Sequence, residues 1–351
     1  MRIGVLTGGG DAPGLNAVIR AVTKSLIHQC GAQVLGVQDG YLGLIERRVR
    51  PLEWDAVCGI TALGGTLLGT TNRVSPMAYQ GRDWRDEIVA YARALDLTGL
   101  VAIGGDGTMA IADALDRHGL PTVGVPKTID NDIAHVERSL GFDTAVATVT
   151  QALDRVQTTG QSHGRVMLVE TMGRNAGWLA LEAGLAASAD IILLPEIDYD
   201  LQAIAEVCKA REARQRSTLI CVAEGAKPRG GQVTVQSYVA GDPHPQRLGG
   251  VAVVLEAQLA PLIRSEVRAT VLGHVQRGGA PTPGDRVLGT LIGNAAADLA
   301  RAGNWGRMVC VEQGRIGDVA LALVAGRMRT VPADHALLHC ARRIGVSLGI
   351  A

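Results

Sequence analysis

The chain has 351 residues, 47% apolar and 19% charged, enough to bury a large core and long enough for two domains to be the default expectation. Lys plus Arg and Asp plus Glu each number 34, and this zero net charge argues against a dedicated nucleic-acid binder, which carries a basic excess. No apolar run reaches the roughly 18 residues of a membrane helix, and six scattered cysteines without CxxC or zinc spacing read as reduced thiols, so we expect a cytoplasmic protein with no membrane or nucleic-acid partner.

Ile3–Thr7 is the first predicted strand, with no charged-then-apolar leader before it. It runs into Gly8-Gly9-Gly10-Asp11-Ala12-Pro13-Gly14 and a helical pattern over Gly14–His28. The amides of such a loop and the helix N-terminus favour an anion. The loop lacks GK[ST], and Pro13 replaces the third glycine of a dinucleotide fingerprint, so it reads equally as a phosphate loop and as a tight βα turn. Beyond strand Val34–Val37, the run from Gly64 to Arg73 joins glycines to Thr70, Thr71 and Asn72 and ends on a basic residue, a plausible nucleotide wall.

Strand Gly99–Ile103 closes on Gly104-Gly105-Asp106-Gly107-Thr108, ahead of a helix over Met109–His118. Strand Thr122–Val125 closes on Pro126-Lys127-Thr128-Ile129-Asp130-Asn131-Asp132. Acid-bearing loops at two strand ends suit phosphoryl transfer: bare glycines admit a polyphosphate, Asp106 holds Mg²⁺, Asp130 takes a proton from an alcohol, and Asp132 holds metal or orients the loop. The bland alternatives are a turn aspartate at 106 and an acidic cap at 130–132.

Farther on come helix Thr144–Gln157, strand Arg165–Glu170, helix Ala176–Ala187, strand Ile191–Leu194, helix Leu201–Arg214 and strand Leu219–Ala223. Gly225–Gly250 breaks this rhythm as an exposed excursion or hairpin before helix Val251–Leu262; strands Ala269–Leu272 and Met308–Glu312 follow. The alternation predicts an α/β fold of two domains with mainly parallel sheets, whose ligands bind outside the carboxyl ends of the strands. Arg165, Arg174, Arg268, His274 and Arg277 supply the positive charge that the acidic loops lack. Arginine forks match phosphate oxygens bidentately, and Glu224, after strand Leu219–Ala223, suits sugar hydroxyls.

Gly9-Gly10-Asp11-Ala12-Pro13-Gly14, Gly104–Thr108, Pro126–Asp132, Met172-Gly173-Arg174 and Leu272-Gly273-His274-x-Gln276-Arg277-Gly278-Gly279 stand in the order and at spacings like those of the 6-phosphofructokinase family. Over nearly its whole length the chain resembles that family. The resemblance implies transfer of the γ-phosphate of ATP to the 1-hydroxyl of fructose 6-phosphate with Mg²⁺, and a homotetramer whose active sites borrow residues from a neighbouring subunit. It implies a nucleotide-binding domain of residues 1–140 plus about 276–326, and a sugar-phosphate-binding domain of 141–275 plus about 327–351.

By the same resemblance, Asp130, Thr128 and Arg174 are catalytic, with Asp130 the base and Arg174 beside the transferring phosphoryl group. Gly10, Asn72, Arg73, Asp106, Gly107 and Thr108 line the nucleotide, and Asp106 and Asp132 attend the metal. Met172, Gly173 and Glu224 contact the sugar, while Arg165, Arg268, His274 and Arg277 meet its 6-phosphate, with Arg165 and Arg268 reaching across the interface. Gly107 is the residue of ATP-using members, whereas Lys127 resembles pyrophosphate-using ones; ATP is the expected donor and pyrophosphate the alternative. Arg20 and Asp190 match the family's effector pocket. Trp54, Gln157, Ala213 and Gln215 replace four of its cations, which implies weak effector binding.

Overall fold

The computed structural model describes residues 1–238 and 246–350. Strands β1 (Arg2–Thr7), β2 (Gln33–Val37) and β3 (Val49–Pro51) alternate with helices α1 (Leu15–Cys30) and α2 (Tyr41–Ile45). Helix α3 (Arg85–Ala94) leads to β4 (Gly99–Gly104), α4 (Asp106–Arg117), β5 (Thr122–Pro126) and the long α5 (Phe142–His163). Next come β6 (Val166–Thr171), α6 (Trp178–Ala186), β7 (Ile191–Leu193), α7 (Leu201–Glu212) and β8 (Thr218–Ala223). The hairpin strands β9 (Val235–Tyr238) and β10 (Gln246–Leu248) precede α8 (Val251–Leu259) and β11 (Val267–Val271). The chain closes with α9 (Pro283–Ala302), β12 (Arg307–Glu312), β13 (Arg315–Ala320) and α10 (Ala336–Arg343).

These elements form two compact units, Met1–Thr144 with Arg277–Arg329 and Ala145–Gln276 with Thr330–Ala351. The first holds a seven-stranded sheet in the order β13-β12-β5-β4-β1-β2-β3. Only the edge strands β3 and β13 run antiparallel. Alternate residues on one strand bury on opposite faces: Val101 and Ile103 of β4 pack toward α1 and α9, Leu100 and Ala102 toward α3 and α4. Chain order reverses at β1, since β2 lies on one side of it and β4 on the other. That reversal is where an open parallel sheet leaves a crevice for ligands.

The second unit is built on a four-stranded parallel sheet, β11-β6-β8-β7. One of its faces is covered by α7 and α8 through Ile204, Cys208, Val251 and Leu255. Buried carboxylates satisfy helix starts in both units. Asp285 accepts from Gly141 N (2.9 Å) and Thr144 N (2.8 Å) at the head of α5, and Glu170 from Gly250 N and Ala252 N (2.9 Å each) at the head of α8.

Several elements differ from expectation. Helix α4 starts at Asp106 rather than Met109 because the glycine-rich turn is itself the first helical turn. Helix α5 continues to His163, past the expected end at Gln157. Within 225–250 the structure has an irregular stretch and the β9–β10 hairpin, whose connecting residues 239–245 lie outside those described. Among the described residues no helix is long and apolar enough to cross a membrane.

Candidate active site

Three loops leave the carboxyl ends of the adjacent parallel strands β1, β4 and β5: Gly8–Gly14, Gly105–Thr108 and Lys127–Asp132. Gly104 must be glycine because a Cβ there would lie 2.3 Å from Thr108 Oγ1, against which the chain turns into α4. The start of α4 is held from behind by Tyr41, buried in the core, whose hydroxyl donates to Thr108 O at 2.9 Å. Asp106 is half-buried in the first turn of α4, Thr108 is buried, and Gly107 is exposed. A Cβ on Gly107 would meet nothing within 4 Å, so this position faces open space.

The Thr128–Ser139 loop is closed by its own side chains. Asn131, at φ 53°, accepts from Ser139 N (2.8 Å) and donates to Glu137 O (3.1 Å), while Ser139 Oγ donates to Thr128 O (2.7 Å). Asparagine tolerates this left-handed turn better than most residues. Thr128 Oγ1 accepts from Asp130 N (3.1 Å), and the Thr128 side chain hydrogen-bonds Asp132. One threonine thus holds the backbone of Asp130 and the carboxylate of Asp132.

Burial raises the pKa of Asp130; Arg277 and Lys127 pull it back down, and Asp106 pushes it up. Asp132 is pushed up to about 7, first by burial, then by the charges of Asp130 and Asp106. Two buried carboxylates whose pKa values rise beside a third acid suit a cation. Asp130 Oδ1 is buried without a hydrogen-bond partner, a condition that suits a metal-bound or substrate hydroxyl. Among the described residues no group of three or more acidic, His or Cys side chains forms a cage of its own. This fits Mg²⁺, which takes one or two carboxylates and draws further oxygens from phosphates and water.

Arg277 belongs to this first unit. Its Nη1 donates to Asp11 O at 3.1 Å and would lie 2.9 Å from a Cβ on Gly10. Asn72 and Arg73 are exposed on the segment next to Gly9, whose N–H donates to Thr71 O at 3.1 Å. The first unit therefore gathers Gly10, Asp106, Thr108, Thr128, Asp130, Asp132 and Arg277 at the carboxyl end of its sheet.

The other candidates stand on the second unit. Gly225 approaches the Met172–Arg174 turn so closely that a Cβ would lie 2.0 Å from Arg174 O. Glu224 follows β8, its N–H bonded to Thr171 O at 2.9 Å. Gln276, wholly buried, accepts from Met172 N (3.1 Å) and donates to Gly273 O (2.9 Å), tying the sugar-loop candidates Met172 and Gly173 to the His274 turn. Nothing in the sequence singled out Gln276 for that task. Arg174 donates to Gln246 O at 3.0 Å. Arg165 and Arg268 both donate to Glu266, and His274 is exposed.

Asp190 has a structural occupation: it accepts from Leu219 N at 2.9 Å and pairs with Arg211 at 2.8 Å. The cavity beside it, about 560 Å³, is lined by Arg211, Arg214 and Arg216. Of the six effector-pocket positions expected from the sequence, only Asp190 lines this cavity.

Residues 2–300 match the family model described as Phosphofructokinase. The chain is 45% identical to ATP-dependent 6-phosphofructokinase 2 of Clostridium perfringens, over 99% of this chain and 98% of that one. It is 46% identical to ATP-dependent 6-phosphofructokinase of Chloroflexus aurantiacus at the same coverage. Among solved structures, phosphofructokinase from Saccharomyces cerevisiae superimposes with a TM-score of 0.79 at 30% identity, over 92% of this chain and 45% of that one. This chain spans less than half the length of the yeast protein.

Proposed function

The chain belongs to the phosphofructokinase family, and we infer from that premise that it transfers the γ-phosphoryl group of ATP to the 1-hydroxyl of fructose 6-phosphate, giving the 1,6-bisphosphate. The observation that carries this reading is Asp130: a buried carboxylate with an unpaired Oδ1, beside Asp106 and the glycine loops at the switch point of the sheet. Its raised pKa suits a base that takes the hydroxyl proton as the oxygen attacks phosphorus. Thr128 holds Asp130 by its N–H, and the charges of Arg277 and Lys127 oppose the rise that burial imposes on the carboxyl.

The donor lies along Gly10, Asn72, Arg73, Gly107 and Thr108. Open space at Gly107 admits a nucleotide, which supports ATP over pyrophosphate. Asp106 and Asp132 would hold Mg²⁺, which when bound neutralises phosphate charge. Arg174 stabilises the charge spread over the transferring group, Met172, Gly173 and Glu224 bind the sugar, and Arg165, Arg268, His274 and Arg277 bind its 6-phosphate. We place the enzyme in the cytoplasm as a homotetramer with shared active sites.

The test is a side-by-side assay of fructose 6-phosphate with Mg-ATP and with Mg-pyrophosphate. Turnover with ATP and little or none with pyrophosphate is expected; the opposite result replaces this reading with a pyrophosphate-dependent phosphotransferase.

A further inference from the structure

Lys127 is buried, with 3% of its surface exposed, and its Nζ is directed at the backbone of the first glycine loop. It donates to Gly8 O at 3.2 Å and to Gly10 O. The carbonyls between and beside these are taken as well: Thr70 Oγ1 donates to Gly9 O at 2.6 Å, and Arg277 Nη1 to Asp11 O at 3.1 Å. Four consecutive carbonyls, from Gly8 to Asp11, thus each accept from a side chain, and the side chains come from three separate segments. Gly8 N and Gly9 N are tied to Ile103 O (2.8 Å) and Thr71 O (3.1 Å). Among the described residues the next two amides, of Gly10 and Asp11, have no backbone acceptor.

We propose that Lys127, with Thr70 and Arg277, is a positioning residue that braces the Gly8–Asp11 loop by its carbonyls, so that its amides are presented to the phosphates of the donor. This inference deepens the donor-site reading above and rests on it. A run of three glycines has more backbone freedom to lose than any other sequence, so an unbraced loop would have to be ordered each time a donor binds. Holding the carbonyl oxygens on side-chain donors fixes the opposite, N–H, ends of the peptide dipoles outward, the arrangement that binds anions. Two of the three ammonium donors of Lys127 are spent on the loop. On this account Lys127 is compatible with either donor and does not select pyrophosphate.

The test combines two readouts on wild type, Lys127→Met, Thr70→Val and Thr70→Ser. Hydrogen–deuterium exchange of the peptide covering Thr7–Gly14 reads the brace without reference to any donor. We expect it to accelerate in Lys127→Met and Thr70→Val and to stay at the wild-type level in Thr70→Ser, which retains the hydroxyl. Steady-state kinetics with Mg-ATP should show KM for ATP raised roughly 10- to 100-fold in Lys127→Met, the usual range for losing charged hydrogen bonds. Thr70→Val should raise it a few-fold, with kcat and the KM for fructose 6-phosphate changing less. The double variant should fall short of the product of the single effects, since both act on one loop.

Unchanged exchange in both variants would overturn the brace. So would a raised KM for ATP in Lys127→Met with the exchange of its Thr7–Gly14 peptide unchanged and Thr70→Val silent, which would make Lys127 a phosphate ligand. A wild type that uses pyrophosphate and not ATP refutes the donor reading, and the exchange experiment still decides the brace. Should Lys127→Met fail to fold, Thr70→Val against Thr70→Ser decides it alone.

Discussion

The two units handle charge in opposite ways. In the first, carboxylates are gathered in burial with one another, Asp130 and Asp132 rising above the ordinary carboxylate range, while its cations Lys127 and Arg277 are engaged on backbone carbonyls. In the second, the candidate phosphate-binding arginines are partly or fully exposed and already engaged: Arg165 and Arg268 on Glu266, Arg268 also 3.9 Å from Glu256, and Arg174 on Gln246 O. The first unit stores unmet demand for positive charge, which a metal cation would satisfy. The second holds charge that must exchange partners to receive a phosphate. One should therefore gain stability from ligand charge, and the other should show competition between ligand and internal acids.

The largest effect should come from the base. Asp130→Asn keeps the shape and removes the proton acceptor, so kcat should fall by about 10²–10⁴ with KM values changing far less. A variant with kcat near wild type would falsify the assignment. Next, Gly107→Asp places a carboxylate in the open space beside the donor. Like charges brought together cost several kcal/mol, so kcat/KM for ATP should drop by at least about 10²-fold. If ATP turnover survived, the nucleotide would have to run elsewhere than past Gly107.

What the residues disclosed before the fold, and what they withheld, divides along the same line. Glycine loops at strand ends are local in sequence, so the donor loops and the parallel α/β plan were legible from the alternation of β1 to β5 with their helices. The targets of long side chains were not. Lys127 read as a mark of donor type, whereas its ammonium turns back to the carbonyls of Gly8 and Gly10, a choice made by packing across more than a hundred residues. Arg211, Arg214 and Arg216 gather around one cavity beside Asp190, which no local motif announces. Strand β13 escaped notice because it is an antiparallel edge with mostly exposed residues, so it carries no buried run.

The second unit offers a smaller, opposite-signed test. Glu266→Gln frees Arg165 and Arg268 from their shared carboxylate. Exposed ion pairs are worth about 0–1 kcal/mol, so the KM for fructose 6-phosphate should fall up to roughly 5-fold, with steeper salt dependence. A rise in KM instead would mean that Glu266 positions the two arginines for the phosphate and does not compete with it.

The smallest effect, and the one that isolates the stored charge of the first unit, is on stability. Asp132 titrates at about 7 in the folded chain against an ordinary 3.8, so between these values the folded state binds more protons than the unfolded one. Stability at this site is then greatest below about 3.8, declines as pH rises, and reaches its floor above 7. Asp132→Asn removes that titration while leaving an acceptor for Thr128, and it lowers repulsion on Asp130 and Asp106. The unliganded variant should melt higher than wild type by ~1–2 °C at pH 8, the shift that about 1 kcal/mol gives a chain of this length, and by less at pH 5. Adding Mg-ATP should stabilise wild type more than the variant, because only wild type still carries the third carboxylate for the cation to neutralise. Equal melting gains at both pH values would show that the benefit comes from packing and not from relieved charge, and the contrast between the two units would lose its electrostatic basis.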